Sequence, residues 1–221
     1  MRVAAIAPAL AVLLGVLLLA VPAGATSPKD PQQRHTAADT RLAKSIGLKL
    51  GDLAAGWRVN PTTNPANDPV CKSQPDESAL VQTARIDPSF TYQDGITSIG
   101  SEVDVFRSAG EARVDWRLST LSALKDCLAS ALSLGAKLPV TVSSFKQLPV
   151  AKLSERTLHY RITMVVHAAQ PITLVAELVA IGKGRVSTVF HAVTVAKPLP
   201  ASLRTLFTQL LADRLNAGRT A

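Results

Sequence analysis

The chain has 221 residues, a formal net charge of +8, 47% hydrophobic residues and 18% charged ones. That length and apolar share suit one domain with a sizeable core, and the charged share falls below the quarter usual in a soluble domain. With 4% aromatic residues, no run of Lys or Arg and no basic–aromatic stripe, nucleic acid is not an expected partner, and the spread charge reads as a solvated surface.

The first segment accounts for part of the charge deficit. Met1-Arg2 is a short basic start, Val3 to Val21 is almost wholly Ala, Val, Leu and Ile, and Ala23-Gly24-Ala25 offers small residues where a signal peptidase reads. Residues 1–25 therefore read as a secretory signal cleaved after Ala25. The rival reading is an uncleaved anchor, because the apolar run is near the length that spans a bilayer. No cysteine lies near residue 25, which excludes a lipid-anchored lipoprotein. The mature chain keeps +7, since only Arg2 of the +8 is lost, and no stable membrane span is expected after cleavage. A basic exported protein can attract anionic lipids, acidic glycans or other envelope polymers.

Residues 26–38 are polar, hold two prolines and read as a flexible spacer; residues 39–221 read as one domain. "DTRLAKSIGL" suits a short helix capped by Asp39 or Thr40. "NPTTNPANDPVCKSQPDE" is a long Pro/Asn-rich loop. "ITSIGSEVDVF" alternates, with Ile99, Ser101, Val103 and Val105 on one face and Glu102 and Asp104 on the other: a half-buried strand. Ser108 and Glu111 suit a capping box. Ala112, Trp116, Leu121, Leu124, Leu128, Ala131 and Leu132 then recur at helical spacing as far as Gly135. Four strands follow, in "LPVTVSSFKQL", "ERTLHYRITMVVHA", "PITLVAELVAIG" and "RVSTVFHAVTV", the last two joined by Gly182-Lys183-Gly184. Their short links demand antiparallel neighbours. Finally Leu203, Leu206, Phe207, Leu210, Leu211, Arg214 and Leu215 form the stripe of a helix that covers a sheet face. The expected fold is α+β: a single antiparallel sheet of about five strands, helices packed on it, and a cleft between sheet and helix.

Cys71 and Cys127 fall in an exported, oxidising context, where two cysteines most often pair. The closed loop of more than fifty residues makes the crosslink worth on the order of 4 kcal/mol in the chain-entropy model. The alternative is two free thiols, but no Cys-x-x-Cys supports redox chemistry.

Chemistry is sparse. His159 and His167 share a strand face but stand about 26 Å apart, no metal-ligand spacing occurs, and no metal or cofactor is expected. There is no Gly-x-Ser-x-Gly elbow, and no catalytic residue is assigned. Glu102 and Asp104 point the same way along one strand, a pattern more common on a solvated face than in acid–base work. Glu177 sits among apolar neighbours. If it shares a face with Arg161 or His191, the group is a satisfied ion pair, which is the favoured reading, or the polar floor of a ligand pocket.

The signal segment, "LGDLAAGW", the Pro/Asn-rich loop with its cysteine, "SEVDVFRSAGEA" leading into a helix with a second cysteine, and "GKGRVSTVF…LLADRL" together resemble actinobacterial exported domains. They are most similar to the extracellular sensor-type domain of mycobacterial PknH-like serine/threonine kinases. The resemblance covers roughly Ala38 to Leu215. It implies an antiparallel sheet with helices around a cleft for an extracellular ligand. It departs from that family in lacking a kinase, a membrane-spanning helix and a second cysteine pair, so no binding residue is carried over. The expected function is a secreted, non-enzymatic ligand-binding or sensor-type domain of the cell envelope. Its partner would be an apolar or amphipathic small molecule, an envelope polymer or a partner protein. The candidate contacts are His159, Arg161, Glu177 and His191, on the strand face away from the main core. The alternatives are an exported hydrolase and a structural envelope protein.

Overall fold

The computed structural model describes residues 29–60, 75–118 and 139–218. The expected signal segment, the helix beyond Leu118 and both Cys71 and Cys127, with the disulfide expected between them, lie outside the described residues.

The four alternating runs in the second half build the sheet's backbone. β6 (Val140–Gln147), β7 (Arg156–Val166), β8 (Ile172–Lys183) and β9 (Val186–Val195) form an antiparallel meander. β9 continues the sheet onto β5 (Ser98–Phe106), again antiparallel. Ahead of β5 stand four short strands: β1 (Gln32–Gln33), β2 (Trp57–Val59), β3 (Val81–Ile86) and β4 (Ser89–Tyr92). β3 and β4 bend about Asp87-Pro88 and share one edge of β5, β3 pairing with Val103 to Phe106 and β4 with Ser98 to Gly100. β2 pairs with β4, and β1 runs parallel to β3.

Among the described residues the sheet therefore has nine strands, in the order β1-β3-β5-β9-β8-β7-β6 with β4 and β2 branching off. It is mixed, because β1 and β3 are parallel. This corrects the expected single antiparallel sheet of about five strands. The extra strands are two to six residues long, too short to show an alternating period. The parallel pairing arises because a helix, α1 (Ala37–Ile46), lies between β1 and β3 and lets the chain return in the same direction. Residues 32–36, expected as spacer, thus carry β1 and the cap of α1. That cap is Thr36, whose side chain accepts the Asp39 N–H, so the helix starts earlier than a cap at Asp39 or Thr40 would place it.

The sheet has a front and a back. On the front lie α1 and the C-terminal helix α3 (Ala201–Ala217), over a core of Val103, Val105, Ile99, Val179, Ile181, Phe190 and Ala192. Phe207 of α3 stacks on Phe190 with ring centroids 5.9 Å apart. The buried stripe of α3 is Phe207, Thr208, Leu211, Ala212 and Leu215, whereas Leu203 and Leu206, expected inside, are exposed. On the back, α2 (Ala109–Leu118) seats Ala112 against Phe106 and Leu80. A second apolar cluster, including Ile162, Met164, Leu174 and Val193, occupies the same face toward β6. A register shift in β6 between Val142 and Ser144 places both Val142 and Phe145 on that back face. Ser143 is the extra residue of this bulge, and its hydroxyl donates to Thr163 O.

Candidate functional site

Glu177 is the one carboxylate among the largest fully buried side chains, and the front face surrounds it with donors. Arg161 stands directly across from it in the β7–β8 pairing. Arg161 donates to Oε1 through Nη2 at 2.8 Å and Nε at 3.2 Å. His159, two residues along the same strand face, puts Nε2 at 3.3 Å. Arg204 reaches down from α3 at 3.0 Å. Burial pushes the Glu177 carboxyl up. The hydrogen bonds from His159 and Arg161 and the charges of Arg204 and Arg161 outweigh that and hold it at about 2. Two further front-face pairs are equally complete. Arg185 grips Asp39 with two nitrogens, at 2.6 and 3.1 Å, and Arg214 grips Asp52 at 2.6 and 2.8 Å. Both are forked guanidinium–carboxylate contacts that tie an element of the front layer in place.

Of the four candidate contacts, the structure thus gathers His159, Arg161 and Glu177 at the rim of the front core, not on a face away from it. His191 is separated from them. Its strand partner is Leu178, one residue out of phase with Glu177, so its ring lies on the back. There it covers Gly100 directly, and a Cβ at that position would collide with the imidazole and with Pro88 O. His35 and His167 are exposed and hydrogen-bond to Gln33 and Thr141.

The back face holds a polar strip of a different kind. Arg85 (β3), Glu102 and Asp104 (β5) and Ser187 (β9) are neighbours across strands, Asp104 standing opposite both Arg85 and Ser187. Arg85 Nη2 lies 3.0 Å from Glu102 Oε1, and Nε is 3.9 Å from Asp104. Asp115 of α2 bears on the same group from above, and Glu77 and Asp87 from the ends of β3. One guanidinium cannot neutralise so many acids. Burial first, then the charge of neighbouring carboxylates, pushes Asp104 well above its ordinary value. The same causes carry Glu77 to about 8 and Asp87 and Asp115 to about 7. The Arg85 guanidinium shifts upward, its burial outweighed by Glu102, Asp104 and Asp87. His191, buried at 7% exposure, is pushed down to about 4 by burial, against an opposing pull from Glu102, so it is a neutral imidazole.

What sets this strip apart is satisfaction. The buried side-chain atoms without a hydrogen-bond partner, among the described residues, belong to Arg85, Asp87, Arg156, Ser187, His191 and Glu111. The first five stand on the back side of β3, the turn after it, β7 and β9. Both ring nitrogens of His191 are among these unpartnered atoms. Native proteins leave few buried polar atoms unpaired, and a cluster of them calls for a reason. No three of His, Cys, Asp and Glu converge there as a metal shell would require, among the described residues.

The mixed sheet, with α1 and α3 in front and α2 behind, can be set beside known folds. No protein-family model matches the chain, and no curated protein sequence does. Among solved structures, the crystal structure of the extracellular domain of PknH from Mycobacterium tuberculosis superposes with a TM-score of 0.50 at 12% identity, over 81% of this chain and 97% of that one. The fold is similar to that of the PknH extracellular domain. At this identity the likeness is one of fold, and the PknH comparison fits the resemblance that the loose sequence motifs suggest. The back-face strip was not legible as a site, because Arg85 and Asp87 lie in a segment with no clear period. The sequence signals for it were His191, expected on the face of Glu177, and the pair Glu102 and Asp104, which is not a solvated face: their side chains are 12% and 15% exposed.

Proposed function

We propose that the chain is an exported ligand-binding domain of the sensor type, acting outside the cell or in its envelope, and that it takes its ligand on the back face of the sheet. The observation that carries this reading is the concentration there of buried polar atoms without a hydrogen-bond partner on Asp87, Ser187 and above all His191. A ligand offering both donors and acceptors would satisfy a neutral imidazole, a serine hydroxyl and a carboxyl at once. The export-type leader in the sequence and the likeness in fold to an extracellular domain both support this reading. Glu177 and its three donors serve the framework, because every partner there is already engaged.

The test is native mass spectrometry of the chain recovered from an exporting host, paired with NMR of the His191 ring nitrogens. The reading expects an added mass removable by organic extraction, and a His191 signal that moves when the extract is returned. A clean apo mass, with a His191 signal unmoved by the host's envelope extract, would sink it.

A further inference from the structure

A separate hollow of about 420 Å³ opens on the flank of α2, lined by Gly110, Arg113, Trp116, Arg117 and Arg156. That volume is within the range of small-molecule sites. Its construction begins in the sequence. Gly110, Arg113 and Arg117 recur at helical spacing and share one stripe of α2, with Trp116 beside them. Arg156, at the start of β7, stands opposite Gly182 in the β7–β8 pairing. Because Gly182 has no side chain, the guanidinium lies across β8, where a Cβ would come within 2.6 Å of Nε. From there it donates to Gly184 O at 3.2 Å and stacks over the Trp116 ring at 5.4 Å.

Three arginines thus line one hollow together with an aromatic ring, Arg156 lying over that ring. Elsewhere Arg85, Arg107, Arg161, Arg185, Arg204 and Arg214 each meet a carboxylate. Among the described residues, no carboxylate pairs with Arg113 or Arg117. Asp115 and Glu155 act on Arg156 only at a distance, and Arg156 Nε has no hydrogen-bond partner. Burial and the like charge of Arg113 both disfavour the Arg156 cation. With acids acting only at a distance, such a cluster repels itself. A bound anion would relieve it, and planar guanidiniums suit phosphate, sulfate or carboxylate oxygens in bidentate fashion. The Trp116 ring and the open backbone at Gly110 leave room for an apolar body beside the charge.

We propose that this hollow binds an anionic amphiphile: a phosphate-like headgroup held by Arg113, Arg117 and Arg156, with its apolar portion against Trp116. The site does not depend on the back-face ligand proposed above.

The test uses the full exported chain carrying Trp57→Phe, which leaves Trp116 as the sole tryptophan. Monomeric dodecyl phosphate should shift Trp116 emission saturably, and inorganic phosphate should compete weakly. Neutral dodecyl maltoside should give no saturable shift. Arg113→Gln and Arg117→Gln, both at exposed positions and checked for an unchanged melting curve, should each weaken binding roughly tenfold. Raised salt should weaken it further. A phosphatidylglycerol vesicle distinguishes the source. Arginine-dependent binding to vesicles as well as to the monomer supports a headgroup in a bilayer. Binding of the monomer alone supports a free anionic molecule. An equal response to dodecyl maltoside, or full affinity in the Arg113→Gln, Arg117→Gln double variant, would overturn the proposal.

Discussion

The two faces of one sheet handle charge in opposite ways. On the front, Asp39, Asp52 and Glu177 each meet guanidinium nitrogens at hydrogen-bond distance, so the acids stay ionised although partly or wholly enclosed. On the back, the carboxylates of Glu77, Asp87, Asp104 and Asp115 crowd around Arg85 and are pushed toward the neutral form. Both faces derive from the same alternating strands, and the difference lies in what packs on them. α3 brings Arg204 and Arg214 to the front, while α2 brings a further acid, Asp115, to the back. A strand's polar positions thus become framework or unsatisfied surface according to the helix that meets them.

The largest effect is expected from Glu177→Gln. It would leave His159, Arg161 and Arg204 facing one another with no carboxylate, and is expected to cost about 3 kcal/mol, read as a lower urea midpoint at unchanged slope. If stability holds, the front-face centre is not framework.

The pH dependence should separate the faces next. Glu177, whose folded value of about 2 lies below its ordinary one, contributes stability that is present above pH 4.5 and lost as pH falls toward 2. The back-face acids run the other way. Their folded values of about 7 to 8 exceed the ordinary ones, so their contribution is complete below about pH 4 and is lost as pH rises through 7 to 8. The melting temperature of the free protein should therefore peak in mildly acidic solution and decline on both sides. A flat curve between pH 5 and 8 would remove the distinction.

A smaller effect, of the opposite sign to the first, is expected from His191→Phe. With no partner lost and two unpaired nitrogens removed, the free protein should gain about 1 kcal/mol while its back-face ligand binding falls. Stability and binding falling together would mean that the ring already has a partner in the protein. The smallest effect belongs to Gly182→Ala. It should displace Arg156 from Trp116, seen as a red shift of Trp116 emission in the Trp57→Phe background, at a cost below about 1 kcal/mol because a long side chain can swing aside.

The long alternating strands and the amphipathic C-terminal helix were legible because each is long enough to show its period. β1 to β4 were not. "QQ" and "WRV" have no period to show, and β3 carries a register shift between Gln82 and Ala84 that interrupts its own. The Glu177–Arg161 pairing was readable from alternation, but Arg204 was not, since nothing local says which helix residue will stand above a given strand.

The face of His191 turned on one loop. A three-residue turn at Gly182-Lys183-Gly184 would set Val175 opposite His191 and bring it to the face of Glu177. The actual turn has two residues, Gly184 and Arg185, with Gly184 at φ +52°. It sets Leu178 opposite instead, and so sends the ring to the other side.

The bulge at Ser143 has a bearing on crowding. Among the described residues β6 ends the sheet, and eight residues of flat strand at such an edge would offer a template for a neighbouring molecule to extend. The extra residue bends that edge, its hydroxyl is turned inward to Thr163, and Lys146 sets a charge beside it. In a dense layer of copies, the choice between separate molecules and a continuous ribbon would turn on this bend and the charge beside it.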